Sequence, residues 1–445
     1  MRRTTIALVS SVLCLLTLTL SPGSALAEPL YHLLTTIPVP SSADNGQGGA
    51  FTTYDIAFFD GTTQLMYLAD RSNASVDIFS ATTNTFVGRV GGTGNLFVGI
   101  QPKPVNAATV NNDISGPDGV VVANFSGLQN LYAGDGNSTL KGFNLTSPNL
   151  LNPNSALAQL PGTPVVTGSA ATDKRVDEMA FDPRDHLLLV ANNAADPPFA
   201  TLINTNTNTI IPNGKITFNG ANADGHNAPN ATGGIEQAVW DPSHGGRFFI
   251  SIPQLNGSGP GGVAVLDISG NVTHVYDFGS ASLGAFAACS PAGLALGANG
   301  KLMVGCGVAS QSILLDPNAN GGNGSTKAFP QVSGEDMVWF DPTTDRFFLA
   351  ARLNPGGPVL GIIDGLTETF LENVRTTSGD HSVAVDPVSG EAFVPFGGSF
   401  GAATNSICPL GCIGVFVTPE PASLLLLGAG LVGLGGMAWR RKRRH

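Results

Sequence analysis

Between residues 31 and 417, apolar positions come in short runs broken by turns of Gly, Asn, Asp and Pro, the pattern of many brief β-strands. One form recurs. An acidic residue or His opens it, four mostly apolar residues follow, and Asp closes it, often with Pro behind. Asp177–Asp182, Glu236–Asp241, Asp336–Asp341 and His381–Asp386 are complete copies, each followed by Pro. Asp55–Asp60 lacks the Pro, and Asp118–Ala123 and Ala292–Gly297 are weaker copies. The openings at 55, 118, 177, 236, 292, 336 and 381 lie 44 to 63 residues apart. A turn and a second apolar run follow each one, as in Gln64–Ala69, His186–Ala191 and Arg346–Ala350. Third runs such as Ser75–Phe79 and Val263–Leu266 appear in most units, and fourth runs such as Thr85–Val87 and Thr273–Tyr276 in several.

Units of this length with about four strands each predict an all-β, seven-bladed β-propeller with the first strand of each unit innermost. A β-sandwich or a two-domain all-β arrangement is the competing reading. The seventh unit is one strand short, ending at Cys412–Val417, while Tyr31–Val39 precedes the first unit as an unassigned strand. Pairing the two closes the ring. In the first unit, Tyr67–Asn73, Val76–Phe79 and Thr82–Thr85 make the body resemble the YVTN/NHL/regucalcin-like propellers. That group includes binding proteins and lactonases, so the resemblance implies a fold and leaves the chemistry open.

The two ends read differently. Arg2 and Arg3, the apolar stretch Ile6–Leu20 and the small residues Ala25 and Ala27 form a signal peptide over 1–27, with the mature chain starting at Glu28. At the other end, Pro419, Glu420 and Pro421 precede an apolar span from Ala422 to Trp439, just long enough for a single transmembrane helix. Arg440, Arg441, Lys442, Arg443 and Arg444 follow as a basic stop that stays in the cytoplasm. The ordered motif, span and basic cluster resemble a PEP-CTERM sorting signal. The resemblance implies an exosortase as partner, a transient inner-membrane anchor, and release to the surface of a bacterium that makes extracellular polysaccharide. The chain thus divides into a signal peptide (1–27), a propeller (28–417) and a sorting signal (418–445).

Of 21 Lys and Arg, two lie in the leader and five beyond Pro421, which leaves 14 basic groups against 32 acidic ones in the body, a net charge of −18. A surface this acidic excludes nucleic acid as a partner. Cys289, Cys306, Cys408 and Cys412 remain in the exported body, where an oxidising compartment favours disulfides. Nearness in sequence favours Cys289 with Cys306 and Cys408 with Cys412, although the spacing alone leaves other pairings open. The P-loop, the Gly-x-Ser-x-Gly elbow and the His-Glu-x-x-His motif are all missing.

Candidate chemistry is confined to the opening position of the repeat: Asp55, Asp118, Asp177, Glu236, Asp336 and His381, with Ala292 in the fifth unit. In a propeller these stand at one level around the central channel. Carboxylates gathered there repel one another, and a Ca²⁺ ion with its six to eight oxygen ligands is one way to relieve that. Asp70, Asp135 and Asn193 are expected nearby as further oxygen donors. The alternative is a polar, water-filled hub without a metal. The sequence favours a binding or structural protein of the cell surface or extracellular matrix, with a polysaccharide or a surface protein as partner. A metal-dependent lactonase of the regucalcin-like type is the alternative.

Overall fold

The computed structural model describes residues 30–418 apart from 104–105, 126, 152–157, 309–310 and 400–404. The signal peptide, the Pro419–Pro421 motif, the apolar span and the basic stop lie outside the described residues. Among the described residues no helix is long and apolar enough to cross a membrane.

Seven four-stranded antiparallel sheets succeed one another along the chain, and their inner strands touch in order around a closed ring. These inner strands are Ala57–Asp60, Val120–Phe125, Met179–Asp182, Ala238–Asp241, Pro291–Leu296, Met337–Asp341 and Ala384–Val385. Each sheet buries both faces against its neighbours, as in the cluster that packs Leu189, Ala200 and Phe218 of blade 3 with Ile250 and Leu266 of blade 4. A small extra hairpin, Pro102–Lys103 with Asn106–Val110, rises between blades 1 and 2.

The ring closes as the sequence implied. His32–Pro38 pairs antiparallel with Cys412–Val417, from His32 opposite Val417 to Pro38 opposite Cys412, and forms the outermost strand of blade 7. Ile37 is buried there, and Tyr31 meets Phe348 of blade 6 edge to face at 5.4 Å.

The closing Asp of the repeat is a turn former. Asp60 accepts from the Thr62 N–H (3.1 Å), Asp241 from the Ser243 N–H (2.8 Å), Asp341 from the Thr343 N–H (3.0 Å) and Asp386 from the Val388 N–H (2.9 Å). This Asx geometry reverses the chain from first strand to second and needs no ligand. The two weak copies each carry glycine at the second position. A Cβ on Gly119 would sit 1.8 Å from the Asp177 carbonyl oxygen, and one on Gly293 would sit 2.9 Å from the Val338 N. Glycine in these positions lets the neighbouring blade approach.

Disulfides join Cys289 to Cys306 and Cys408 to Cys412. The first bridges the entry to blade 5 and its second strand, and the second ties the turn that leads into the closing strand.

Because closure depends on one strand, Ile37→Ala is expected to destabilise the protein by about 2–4 kcal/mol, the cost of truncating a buried aliphatic side chain. Denaturant unfolding measures this, and a loss under about 0.5 kcal/mol, as for a surface change, would show that the strand is not part of the cooperative ring.

Candidate functional site

Each acidic opening residue occupies the same register. The backbone N–H of Asp55, Asp118, Asp177, Glu236 and Asp336 donates to a second-strand carbonyl of its own blade, that of Ala69, Gly134, Ala191, Ser251 and Ala350 respectively. The five therefore stand at one level of the channel. A cavity of about 430 Å³ opens there, with Asp55, Asp177, Glu236, Asp336 and His381 in its walls. Asp118 is enclosed behind Arg71. Thr109 and Val110 at the end of the extra hairpin, and Asn112 just after it, complete the rim.

The sequence reading missed the cations. Arg71 lies between two carboxylates: it pairs with Asp55 and donates from Nε to Asp118 Oδ1 at 2.7 Å. Its Nη1 donates to the Tyr54 carbonyl at 3.0 Å. Arg175 contacts Asp177 at 2.8 Å and donates to Asn193 Oδ1 at 3.0 Å, while Asn193 Nδ2 donates to Glu236 at 3.3 Å. Arg352 contacts Asp336 at 2.9 Å. His381 Nδ1 donates to the Gly379 carbonyl (2.7 Å), its Nε2 faces Asp55 at 3.6 Å, and its ring stacks on Tyr54 at 4.5 Å.

Of the ring read as a candidate Ca²⁺ site, Asp55, Asp118, Asp177 and Asp336 are met by guanidinium groups, Glu236 by the Asn193 amide, and His381 stands against Asp55. Among the described residues no three His, Cys, Asp or Glu side chains converge as metal ligands. Two of the expected extra donors point elsewhere. Asp70 accepts from the Asn73 N–H (3.0 Å) and Nδ2 (2.6 Å), a turn that presents Arg71 to the channel. Asp135 pairs with Lys141 and accepts from the Gly136 N–H (2.9 Å). Asn193 alone reaches the mouth. A readable signal existed: in a body with so few basic residues, Arg71 and Arg352 each follow a second strand directly, and Arg175 stands two residues before Asp177.

Three arginines do not balance the carboxyls. Asp55 would be raised by burial, but Arg71, with His381 and Arg175, outweighs this and holds it well below the usual carboxylate range. Asp118 shares the same arginine, and burial raises it. Burial, then the repulsion of Asp55 and Asp336 against the pull of Arg175 and Arg71, pushes Asp177 up to about 7. Burial, Asp177 and Asp336 push Glu236 up to about 8. Glu178, one residue into the channel, is raised well above its ordinary value by burial and then by Asp177 and Glu236.

Below this level Ile56, Glu178 and Met337 form a waist shared with a second, apolar chamber of about 490 Å³. Phe58, Phe181, Trp240, Trp339 and Phe340 line it. Gln237 braces the wall by accepting from the Leu294 N–H (2.7 Å) and Val338 N–H (3.0 Å), tying blade 4 to blades 5 and 6. The channel is thus polar at one mouth and aromatic at the other.

This geometry places the body among the seven-bladed β-propellers, and two solved structures show the same fold. A chain of Kuenenia stuttgartiensis hydrazine synthase is 13% identical, with a TM-score of 0.54 over 84% of this chain and 99% of that one. A chain of a mitotic checkpoint complex is 12% identical, with a TM-score of 0.50 over 94% and 99%. At such identities the likeness is one of fold alone. No curated protein matches the chain. Residues 417–444 match the PEP-CTERM protein-sorting motif. The chain is therefore an exported propeller protein carrying a signal for exosortase processing, anchored at the membrane before it is cut.

The raised carboxyls set a pH dependence. Asp177 (about 7), Glu236 (about 8), and the buried Glu335 and Asp380 (each about 7, with burial the largest cause) hold their protons more tightly folded than unfolded. Their contribution is fully present below the unfolded range near pH 4 and is lost as pH rises through 7 and 8, with a slope of about 1.4 kcal/mol per pH unit for each group in transition. The melting temperature is expected to fall between pH 5 and pH 8.5, and Glu236→Gln is expected to flatten the fall. Scanning calorimetry across that range is the check, and a melting temperature that rises steadily to pH 8.5 contradicts it.

Proposed function

We propose that this protein is a ligand-binding component of the cell envelope, associated with extracellular polysaccharide, and that the polar mouth of the channel is its binding site. The observation that carries this reading is the mouth itself. Carboxyl, guanidinium, amide and imidazole groups converge on one cavity of about 430 Å³, open to solvent and large enough for a sugar-sized ligand. The sorting signal at 417–444 delivers this cavity to the outside of the cell. The segments Tyr67–Asn73 and Val76–Phe79 of blade 1 support placing the body with the YVTN-type propellers.

A metal-dependent lactonase fits less well, because the carboxylates it would use are tied to Arg71, Arg175 and Arg352. One observation does favour a hydrolytic second reading: Asp177 and Glu236 hold protons near neutral pH, as a general acid must. Against it, His381 bonds Gly379 and faces Asp55 rather than activating a nucleophile.

The exported protein is expected to co-sediment with polysaccharide shed by its host, and Glu236→Lys, which puts a bulky charge in the mouth, is expected to abolish this. Co-sedimentation indifferent to the substitution, or none at all, removes the binding reading. Turnover of a lactone, ester or glycoside that disappears in Asp177→Asn would replace it with the hydrolytic one. Mass spectrometry of the surface form is expected to find a C-terminus close to Pro419–Pro421, and a chain still ending at His445 rules out processing.

A further inference from the structure

We propose that the polar mouth recognises a protonated primary amine carried on a small polar organic molecule, held by Asp177 and Glu236 with Glu178 as the floor. This rests on the reading of the mouth as a binding site and adds the chemical group that the site selects.

The first support is a charge count. Five carboxyls line the mouth and its floor, Asp55, Asp177, Glu178, Glu236 and Asp336, and a sixth, Asp118, lies behind Arg71. Three guanidinium groups face them, Arg71, Arg175 and Arg352, and His381 stands against Asp55. The arginines are spoken for. Arg71 serves Asp55 and Asp118, Arg175 serves one oxygen of Asp177, and Arg352 serves Asp336. Glu236 meets only the neutral amide of Asn193 among the described residues. No described residue donates a hydrogen bond to the Glu178 carboxyl. The unmatched negative charge gathers on one side of the cavity, at blades 3 and 4.

A second, independent observation points to a ligand. Asp177 lines the cavity with 2% of its surface exposed, and its Oδ1 has no hydrogen-bond partner. A buried, unpartnered carboxylate oxygen is costly to keep, and a charged N–H donor is the strongest partner for it. A bare metal ion fits poorly, since among the described residues no three ligating side chains converge. An anion would meet uncompensated carboxylates. A neutral hydroxyl would supply a hydrogen bond and leave the charge. An ammonium group supplies three donors and the missing charge together.

The raised Asp177 and Glu236 fit this exchange: the empty site holds protons near neutral pH, and an ammonium displaces them. Binding of an amine that stays protonated across this range, such as spermidine, is therefore expected to release protons and to strengthen as pH rises from 6 toward 8.

Calorimetry on the exported protein tests this with three probes: a glucosamine oligomer, its N-acetylated counterpart, and spermidine. The expected result is that the glucosamine oligomer binds, the acetylated oligomer does not, and the heat varies with the ionisation enthalpy of the buffer because protons are released. Asp177→Asn and Glu236→Gln are expected to weaken binding about tenfold or more, the loss of one charge-assisted hydrogen bond, while the melting temperature at pH 8 does not fall. Retained melting separates lost recognition from lost folding. Binding of spermidine without either oligomer supports the ammonium site and overturns the polysaccharide reading. Equal binding of both oligomers overturns the ammonium site and leaves the polysaccharide reading in place. Absence of binding by either amine at millimolar concentration overturns the inference.

Discussion

An antiparallel sheet with two apolar faces must cover both, and this chain covers fourteen such faces by one device, the closed ring. Every blade relies on the next, so the arrangement is only as complete as its seam. The seam is six pairings between His32–Pro38 and Cys412–Val417. The disulfide between Cys408 and Cys412 fixes the turn just before it. An oxidising compartment is therefore a condition of the seam as well as a destination of the protein.

Ring closure also creates the electrostatic problem at the axis. The same repeat position in each blade is brought to the same level, so an acidic opening residue in the sequence becomes a crowd of carboxylates in space. Arg71 and Arg175 answer part of it from within the protein, at positions reached only after the second strand turns back toward the channel or just before the first begins. One guanidinium between Asp55 and Asp118 leaves one of them holding its proton. The polar mouth is therefore a partly neutralised cluster, and its remaining charge is a property of the fold that a ligand can use.

Much of this was legible from residue order alone. The seven openings, their spacing and the orphan strand Tyr31–Val39 were enough to give the blade count and the seam, because propeller blades repeat in sequence as they do in space. The opening residues were legible as a ring for the same reason. The arginines were not, because they lie outside the repeat unit, and which way a side chain points after a turn such as Asp70–Asn73 is set by hydrogen bonds that spacing does not display. The close approach of neighbouring blades at Gly119 and Gly293 was equally invisible, because nothing in the repeat pattern marks the second position as crowded. The aromatic chamber escaped notice because Phe58, Trp240 and Trp339 look like ordinary core residues in a strand, and only the taper of the channel leaves them half exposed.

The seam carries a consequence for the order of events in the protein's life. His32 sits opposite Val417, so an early segment of the exported chain and a late one are neighbours in the finished molecule. The matched sorting motif begins at that same Val417. Blade 7 cannot be completed while its third strand, Cys412–Val417, is still inside the cell. His32 and Val417 thus lie side by side at one corner of the ring, where the propeller meets its sorting motif.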